Sequence, residues 1–279
     1  MSSNKSVRAA LADAEQRLAA VQGVPRLDAE ILMAHALGTS IGEMQLSHLD
    51  LPAPAAFEGL VARRLTEEPM GYVVGRNGFW TIELDVGPGA LIPRADSESL
   101  IEAAVAHFRG RAPATVLDLG TGPGTLLLAA LAEWREARGL GVDASPEALV
   151  WARGNAERLG FAGRTELRQG NWAAGLTGRF DLILANPPYL EDKAALIPGV
   201  VDWEPGIALF GGADGLDHYR ILAPQMASLL APSGVACVEI GAGQSISASA
   251  LFAAQGFTIE SRRDLRGIVR CLVLTRNRV

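Results

Sequence analysis

The chain has only two cysteines and no apolar run long enough to cross a membrane. Cys237 and Cys271 both lie within apolar stretches of the 279 residues, so we expect buried thiols rather than a disulfide framework or a metal site. No apolar stretch approaches the ~20 residues that a membrane-spanning helix needs. The N-terminus lacks the apolar core of a signal peptide. These absences predict a soluble, cytoplasmic protein that does not bind membranes.

A basic surface is also lacking. The chain holds 25 lysines and arginines against 31 aspartates and glutamates, a net charge of −6. Residues 1–75 carry 6 basic and 9 acidic residues, so half of that negative charge lies there. Binding to nucleic acid backbones normally needs a basic face, so we expect no stable nucleic acid binding. The four histidines, His35, His48, His107 and His218, have no ligand spacing, and no metal site is expected.

Apolar residues are plentiful, and their spacing divides the chain. They make up 49% of the residues, which suffices for a packed core. Over residues 1–70 they recur at helical spacing, which predicts a small helical domain. Asp28 is placed to cap a second helix that Gly38 ends, and Ser40 and Glu43 have the spacing of a capping box.

The spacing changes after residue 70. Residues 80–86 alternate apolar and polar side chains, the period of a strand. Gly75, Asn77 and Gly78 are placed to form a turn between two short strands. We therefore expect a β-hairpin linker at residues 71–90.

From residue 91 to residue 279, strand and helix patterns alternate. Such alternation predicts a doubly wound, mostly parallel sheet with helices packed against it. The last two strands, Phe257–Arg262 and Val269–Thr275, are too close in sequence for a helical crossover. They should therefore pair antiparallel.

A glycine-rich loop follows the first strand of this region. Gly120, Gly122 and Gly124 permit a tight turn and the close approach of a ligand to the backbone, and a helix begins directly after them. Asp143 ends the next strand, where a carboxylate can accept hydrogen bonds from ribose hydroxyls. Without a ligand, the same residues would form a plain turn between strand and helix. With Asp118 before it, the loop resembles motif I of class I methyltransferases that use S-adenosylmethionine.

The tetrapeptide Asn186-Pro187-Pro188-Tyr189 directly follows an inner strand. Open α/β sheets bind ligands at this edge, although two prolines can also simply end a strand. A planar amide or base nitrogen is a poor nucleophile because its lone pair is delocalised. The Asn186 side-chain oxygen and the Pro187 carbonyl can accept its two N–H groups and orient it, and Tyr189 can stack on its flat face.

Several further segments resemble the PrmC/HemK family. They are Phe79-Trp80, Leu91–Glu98 (LIPRADSE), Glu204-Pro205 and Arg263–Arg270 (RDLRGIVR). With the helical N-terminal domain, the hairpin and the two loops, the resemblance extends over nearly the whole chain. The family consists of protein-(glutamine-N5) methyltransferases that modify the Gly-Gly-Gln loop of class 1 peptide chain release factors. The resemblance implies a class I, Rossmann-like methyltransferase fold of seven strands with one antiparallel, and an N-terminal domain that docks the release factor.

The resemblance also implies roles for individual residues. The residues expected at S-adenosylmethionine are Asp118, Gly120, Thr121, Gly122, Pro123, Gly124, Asp143, Asn171, Trp172 and Asn186. Those expected at the substrate are Phe79, Arg94, Asn186, Pro187, Pro188 and Tyr189, of which Asn186, Pro187 and Tyr189 are expected to be catalytic. Arg94, Asp96 and Glu98 correspond to a segment that covers the site. Three residues depart from the family pattern: Ala95 replaces proline, Ser97 replaces threonine, and Asn171 replaces aspartate.

Other interpretations stay open at this point. Arg94, Asp96 and Glu98 can instead be charges at a helix start, with Asp96 as the N-cap, and Trp172 can be a core residue. The chain could methylate an exocyclic amine of a nucleic acid base, or bind a ligand without catalysis. We expect a monomeric methyltransferase that meets release factors transiently.

Overall fold

The computed structural model describes residues 5–194, 200–264 and 266–276, with the backbone alone at residues 200 and 201. Two compact units divide the described chain between Gly75 and Arg76, within the segment predicted as a linker. A short helix, Val200–Trp203, groups with the first unit. None of the helices in these described ranges has the length and apolar character needed to cross a bilayer.

The first unit is a small helical bundle. Its helices are α1 Val7–Leu18, α2 Pro25–Leu37, α3 Ile41–Ser47, α4 Ala56–Leu65 and α5 Met70–Val74. Gly38 ends α2 in the left-handed conformation, and the Ser40 hydroxyl accepts a hydrogen bond from the Glu43 N–H at 3.1 Å, as expected. Apolar side chains from the first four helices, such as Leu11, Leu32 and Phe57, form its core.

The expected capping role of Asp28 is wrong. Helix α2 begins four residues earlier than a cap at Asp28 would place it, because Pro25 occupies its first turn, where the missing N–H costs no hydrogen bond. Asp28 therefore lies inside the first turn of α2. Its carboxylate accepts a hydrogen bond from Arg64 of α4 at 2.9 Å, and both side chains are nearly buried.

The hairpin exists, but it begins later than expected. Its strands are β1 Arg76–Phe79 and β2 Ile82–Asp85, which pair antiparallel, so Trp80 and not Gly78 lies in the turn. The residues expected to form its first strand belong to α5 instead. Tyr72 and Val73 are buried there at 5% and 3% exposure, so burial outweighs their preference for strands.

The second unit contains a seven-stranded sheet. Its strands are β3 Thr115–Leu119, β4 Arg138–Asp143, β5 Thr165–Gln169, β6 Phe180–Ala185, β7 Leu230–Glu239, β8 Phe257–Arg263 and β9 Val269–Arg276. Their order is β5-β4-β3-β6-β7-β9-β8. β9 runs antiparallel to both of its neighbours, β7 and β8, so the expected antiparallel pairing of the last two strands is confirmed.

Helices pack against this sheet. They are α6 Glu98–His107, α7 Thr125–Glu133, α8 Pro146–Arg158, α10 Asp217–Leu229 and α11 Ser245–Ala253. The label α9 belongs to Val200–Trp203, which groups with the first unit. Three-residue 3₁₀ turns lie at Ala95–Ser97, Ala162–Arg164 and Gly206–Ala208. Ser145 caps α8, since its hydroxyl accepts from the Ala148 N–H at 3.1 Å.

The order of the strands places the sequence motifs together. From β3 the chain continues to β4 on one side, whereas β6 pairs with β3 on the other. This is a topological switch point, and the carboxyl ends of the strands there form a crevice. The glycine loop follows β3, Asp143 ends β4 and the Asn186–Tyr189 loop follows β6, so all three meet at one edge.

Candidate active site

The glycine loop turns sharply between β3 and α7. Gly120, Gly122 and Gly124 all have positive φ angles, of 76°, 57° and 89°. Glycine is required at Gly120 because a Cβ there would lie 3.0 Å from the Trp172 ring as well as being strained. At Gly122 a Cβ would meet no atom within 4 Å, so bare backbone faces open space there.

Asp118 supports this loop from inside the fold. Its side chain is fully buried, and one carboxylate oxygen accepts hydrogen bonds from the Thr121 hydroxyl at 2.7 Å and the Leu127 N–H at 3.1 Å. The other oxygen, Oδ1, has no hydrogen-bond partner among the described atoms. Burial raises the pKa of Asp118 to about 7, against the effect of the two hydrogen bonds. The carboxylate therefore joins the loop to the start of α7.

Asp143 lies across the loop, at the end of β4. Its two oxygens accept hydrogen bonds from the Gly122 N–H at 2.7 Å and the Ser145 N–H at 2.9 Å. Burial raises the pKa of this carboxyl above its usual value. Each oxygen still has a lone pair for a further donor, which suits a ligand with hydroxyl groups.

A cleft of about 870 Å³, with the open space at its mouth included, runs along this edge. A concave site at the carboxyl ends of parallel strands is where open α/β sheets bind small-molecule ligands. Its walls are mostly apolar and include Leu91, Trp172, Pro188 and Ile207. Trp172 meets His218 edge to face, with ring centroids 5.2 Å apart. Trp172 therefore borders the cleft as well as packing on the core.

A second cavity of about 390 Å³ adjoins the cleft. Leu91, Gly120, Gly122 and Asn186 line both spaces. Arg94 and Ser97 line the second cavity only. Asn186 thus lies where two ligands could meet, one in each space.

The Asn186–Tyr189 loop is held by a buried acid, Glu239, at the end of β7. The Asn186 Nδ2 donates to the Ser97 hydroxyl at 3.1 Å, and that hydroxyl donates to Glu239 Oε2 at 2.5 Å. The Tyr189 hydroxyl donates to Glu239 Oε1 at 3.3 Å. Burial raises the pKa of Glu239 to about 7 and also raises the pKa of Tyr189.

The three charges of the LIPRADSE segment have separate partners. Arg94 forms an ion pair with buried Glu204, which also accepts from the Ile92 N–H at 3.1 Å. Asp96 forms ion pairs with Arg266 and Arg270. Helix α6 begins after Asp96, and Ser97 occupies the N-cap position, so the interpretation of Asp96 as the N-cap is wrong.

Glu98 and the C-terminal segment complete these contacts. The Glu98 carboxylate accepts from the Trp80 N–H at 2.8 Å and so joins the hairpin to α6. Asp264 accepts from the Arg270 Nε at 3.3 Å, next to the pairs that Arg270 and Arg266 make with Asp96. Leu265, in the RDLRGIVR segment, lies outside the described residues. The two segments that carry the resemblance are thus joined through Asp96.

Most of the predicted site residues come together. Those that line the cleft are Gly120, Gly122, Asp143, Asn171, Trp172, Asn186 and Pro188. Those that line the second cavity are Arg94, Asp118, Gly120, Thr121, Gly122, Pro123 and Asn186. Four lie outside these two linings as the structure describes them: Gly124 at the start of α7, Pro187, Tyr189 on Glu239, and Phe79, which is 2% exposed.

Sequence reasoning missed several residues that border or support the site, among them Glu239 and His218. Glu239 could have been found from the sequence, because it is an acidic residue at the end of the apolar run of β7. Buried charged residues are rare unless they have a role. His218 lines the cleft beside Trp172, and no pattern in the sequence singles it out.

Two family models match the chain. A methyltransferase domain matches residues 112–252, which is half of the chain, and the PrmC N-terminal domain matches residues 9–75. Among solved structures, a methyltransferase from Pyrococcus furiosus is similar, with a TM-score of 0.52 and 17% identity. The match covers 70% of this chain and 89% of that one. At that identity the likeness concerns the fold alone, and it confirms the expected class I methyltransferase fold.

Relatives are similar over most of the chain. The release factor glutamine methyltransferase of Rhodospirillum rubrum is 45% identical over 90% of this chain and 79% of its own length. That of Nitratidesulfovibrio vulgaris is 36% identical over 99% of this chain and 97% of its own. With the PrmC N-terminal domain and the methyltransferase domain both present, the chain belongs to the family of release factor glutamine methyltransferases.

Proposed function

We propose that the chain transfers a methyl group from S-adenosyl-L-methionine to the glutamine side-chain nitrogen in the Gly-Gly-Gln loop of class 1 release factors. The observation that carries this proposal is the position of Asn186. It lies at the carboxyl end of β6, between a cleft that suits a nucleoside and a second cavity. The relatives' shared name supports the substrate.

The cleft fits S-adenosylmethionine. Gly122 presents bare backbone to open space, Asp143 offers two carboxylate oxygens, and the Trp172 ring forms an apolar wall. We assign Gly120–Gly124 to the methionine part, Asp143 to the ribose, and Trp172 with Asn171 to the adenine. Asp118 acts through the loop, because its hydrogen bonds go to Thr121 and Leu127. When bound, S-adenosylmethionine supplies a methyl group on a positively charged sulfur.

The residues of the Asn186–Tyr189 loop orient the glutamine nitrogen. Since Asn186 Nδ2 is engaged by Ser97, its oxygen Oδ1 is left to accept one N–H of the glutamine amide. The Pro187 carbonyl accepts the other N–H. With both protons held in the amide plane, the lone pair of the nitrogen is directed out of it, towards the cleft. The contribution of the protein is positioning and electrostatics rather than proton abstraction.

Tyr189 and Arg94 have supporting roles in this proposal. Because the Tyr189 hydroxyl donates to Glu239, the ring is held at one edge, and its position fixes the end of the loop. Pro188 lines the cleft beside Asn186. Arg94 lines the second cavity, and its ion pair with Glu204 holds it there. In this proposal Arg94 forms a wall of the glutamine site. Phe79 is buried, at 2% exposure, and we assign it no direct contact with the substrate.

The helical unit is proposed to dock the release factor. The PrmC N-terminal domain model matches it, and its surface carries apolar side chains that are exposed by between 45% and 88%: Val24, Leu27, Leu46 and Leu51. The proposed division is a docking domain at residues 1–70, a linker at 71–90 and a catalytic domain at 91–279. We propose a monomer that works in the cytoplasm and meets its protein substrate transiently, without stable binding of nucleic acid.

Methyl transfer to the release factor is tested by labelling. The chain is incubated with methyl-labelled S-adenosylmethionine and a class 1 release factor, and in parallel with the same factor whose loop glutamine is replaced by alanine. Label is expected in the first factor and not in the second. Equal label in both would place the methyl group on another residue. Label in added RNA or DNA instead would favour methylation of a base amine.

A further inference from the structure

A buried chain of hydrogen bonds links the catalytic loop to an acid outside it. It runs from Asn186 Nδ2 to the Ser97 hydroxyl and from there to Glu239 Oε2, with distances of 3.1 and 2.5 Å. Ser97 and Glu239 are 2% and 1% exposed. Ser97 lies just before α6 and Glu239 at the end of β7, so this contact joins two segments far apart in sequence.

The donors and acceptors in this chain determine its direction. An ionised carboxylate can only accept, so the single proton of the Ser97 hydroxyl must point to Glu239. The hydroxyl then has only acceptor capacity for Asn186. It therefore selects the NH₂ end of the Asn186 amide and leaves Oδ1 as the end available to a ligand.

We propose that Glu239 is a positioning residue for methyl transfer, which through Ser97 holds the Asn186 amide with its oxygen towards the substrate nitrogen. This inference rests on the proposed function, since it gives a reason for an amide of fixed orientation at that place. Glu239 touches neither ligand in this scheme. It acts only through Ser97 and, by the Tyr189 hydroxyl, on the other end of the same loop.

Protonation of Glu239 removes the constraint. A protonated Oε2 can donate to Ser97, and the Ser97 proton is then free to point to Asn186 Oδ1, so both orientations of the amide become possible. Ionised Glu239 is therefore the active form, and activity should rise with pH through its pKa of about 7.

Several groups face Glu239 from the elements packed around it. Burial raises its pKa most, and nearby Asp96 raises it further, whereas Ser97, Arg270 and Tyr189 lower it. The Tyr219 hydroxyl donates to its backbone carbonyl, and Cys271 of β9 is paired with it in the sheet. Asp118 in the glycine loop also has a pKa of about 7. The wild-type pH profile alone therefore does not identify the titrating group, and variants are needed.

Ser97 offers a matched set of variants. Ser97→Ala removes the link, and Ser97→Thr keeps the hydroxyl. Ser99→Ala is the control, because Ser99 is a buried serine at the same end of α6 whose hydroxyl donates to the Asp96 carbonyl instead. Glu239→Gln keeps the shape of the acid and abolishes its titration. Thermal unfolding followed by circular dichroism checks that each variant is folded.

Rates are measured from pH 6 to 8.5 with saturating substrates. We expect Ser97→Ala to lower kcat by about 10- to 100-fold, as misplaced catalytic groups do, with little change in the KM for S-adenosylmethionine. Ser99→Ala should retain the wild-type rate, and Ser97→Thr should recover most of the activity that Ser97→Ala loses, because it keeps the hydroxyl. In Glu239→Gln, kcat should rise less near pH 7 than in the wild type, because only Asp118 still titrates there. A wild-type kcat in Ser97→Ala, or an unchanged profile in Glu239→Gln, would overturn the proposal.

A second measurement tests the role of Glu239 independently of which substrate is methylated. The side-chain amide of Asn186 is followed by ¹⁵N NMR in the protein without substrate, and its signals are assigned by their loss in Asn186→Ala. They should shift between pH 6 and 8 in the wild type and in Ser99→Ala, and shift clearly less in Ser97→Ala and Glu239→Gln, where only the effect of Asp118 remains. If they shift but the release factor gains no methyl group, the proposed function alone fails. If they do not shift in the wild type, the relay is wrong whatever the substrate.

Discussion

The two units of the chain bury acidic side chains in different ways. In the helical unit the buried acids are paired with arginine: Asp28 with Arg64, Glu30 with Arg26, and Glu68 with Arg63. In the sheet unit buried Glu204 is likewise paired with Arg94, but two other acids, Asp118 and Glu239, are still more deeply buried, at 0% and 1% exposure, and have no arginine in a hydrogen bond or ion pair among the described residues. Their hydrogen-bond partners are hydroxyls and, for Asp118, a backbone N–H.

This difference in partners distinguishes acids that stabilise the fold from acids that support the functional site. A buried ion pair can hold helices together, because removal of one partner leaves an uncompensated buried charge. A buried acid with neutral partners keeps a raised pKa, which is typical of functional sites. Asp118 and Glu239, each with a pKa of about 7, support the two loops that border the proposed methyl-transfer site.

The largest effect is expected from breaking the Asp28–Arg64 pair of the helical unit. Arg64→Met leaves Asp28 nearly buried without its partner, and such a loss costs about 3 kcal/mol of unfolding free energy. Denaturant unfolding measures it. Arg8→Ala is the control, because its pair with Asp50 is exposed and should cost about 0.5 kcal/mol or less. Equal losses in both variants would contradict the distinction between buried and exposed pairs.

A comparable effect on activity rather than stability is expected in the sheet unit. Asn186→Ala removes one acceptor for the substrate nitrogen and should raise the barrier by about 2–4 kcal/mol, a loss of roughly 30- to 1,000-fold in kcat/KM. Steady-state methylation of the release factor measures this change, and the unfolding free energy should stay within about 1 kcal/mol of wild type. Near-wild-type turnover would refute the role of Asn186.

A smaller effect is expected on the pH dependence of stability. The pKa of Asp118 is about 7 in the folded protein and near its usual value of 3.8 in the unfolded chain. The folded state therefore binds the proton more tightly, and stability is lost as the pH rises from about 4 through 7. Asp118→Asn should reduce that loss by about 2.5 kcal/mol between pH 5 and 8. Unfolding at both pH values tests this, and an unchanged slope would exclude Asp118 as its source.

The sequence predicted the sheet better than the contacts of its loops. The glycine loop, Asp143 and the Asn186–Tyr189 loop could be placed at one edge because strand order and motif position are local patterns. The start of α2 at Pro25 and the helical conformation of residues 70–74 could not be predicted in this way. They depend on burial and on which of several residues begins the helix. The Ser97–Glu239 contact joins residues 142 positions apart, and no local pattern encodes such a pair.

The smallest effect compares one helix cap in each unit. Ser40 caps α3 and Ser145 caps α8, each by accepting from a backbone N–H at 3.1 Å. Alanine at either position should cost about 1 kcal/mol of unfolding free energy, because the same kind of bond is lost. Only Ser145 lines the cleft and follows Asp143, so only Ser145→Ala should weaken the binding of S-adenosylmethionine, measured by calorimetric titration. If Ser40→Ala weakened it equally, the cofactor site would not be confined to the sheet unit.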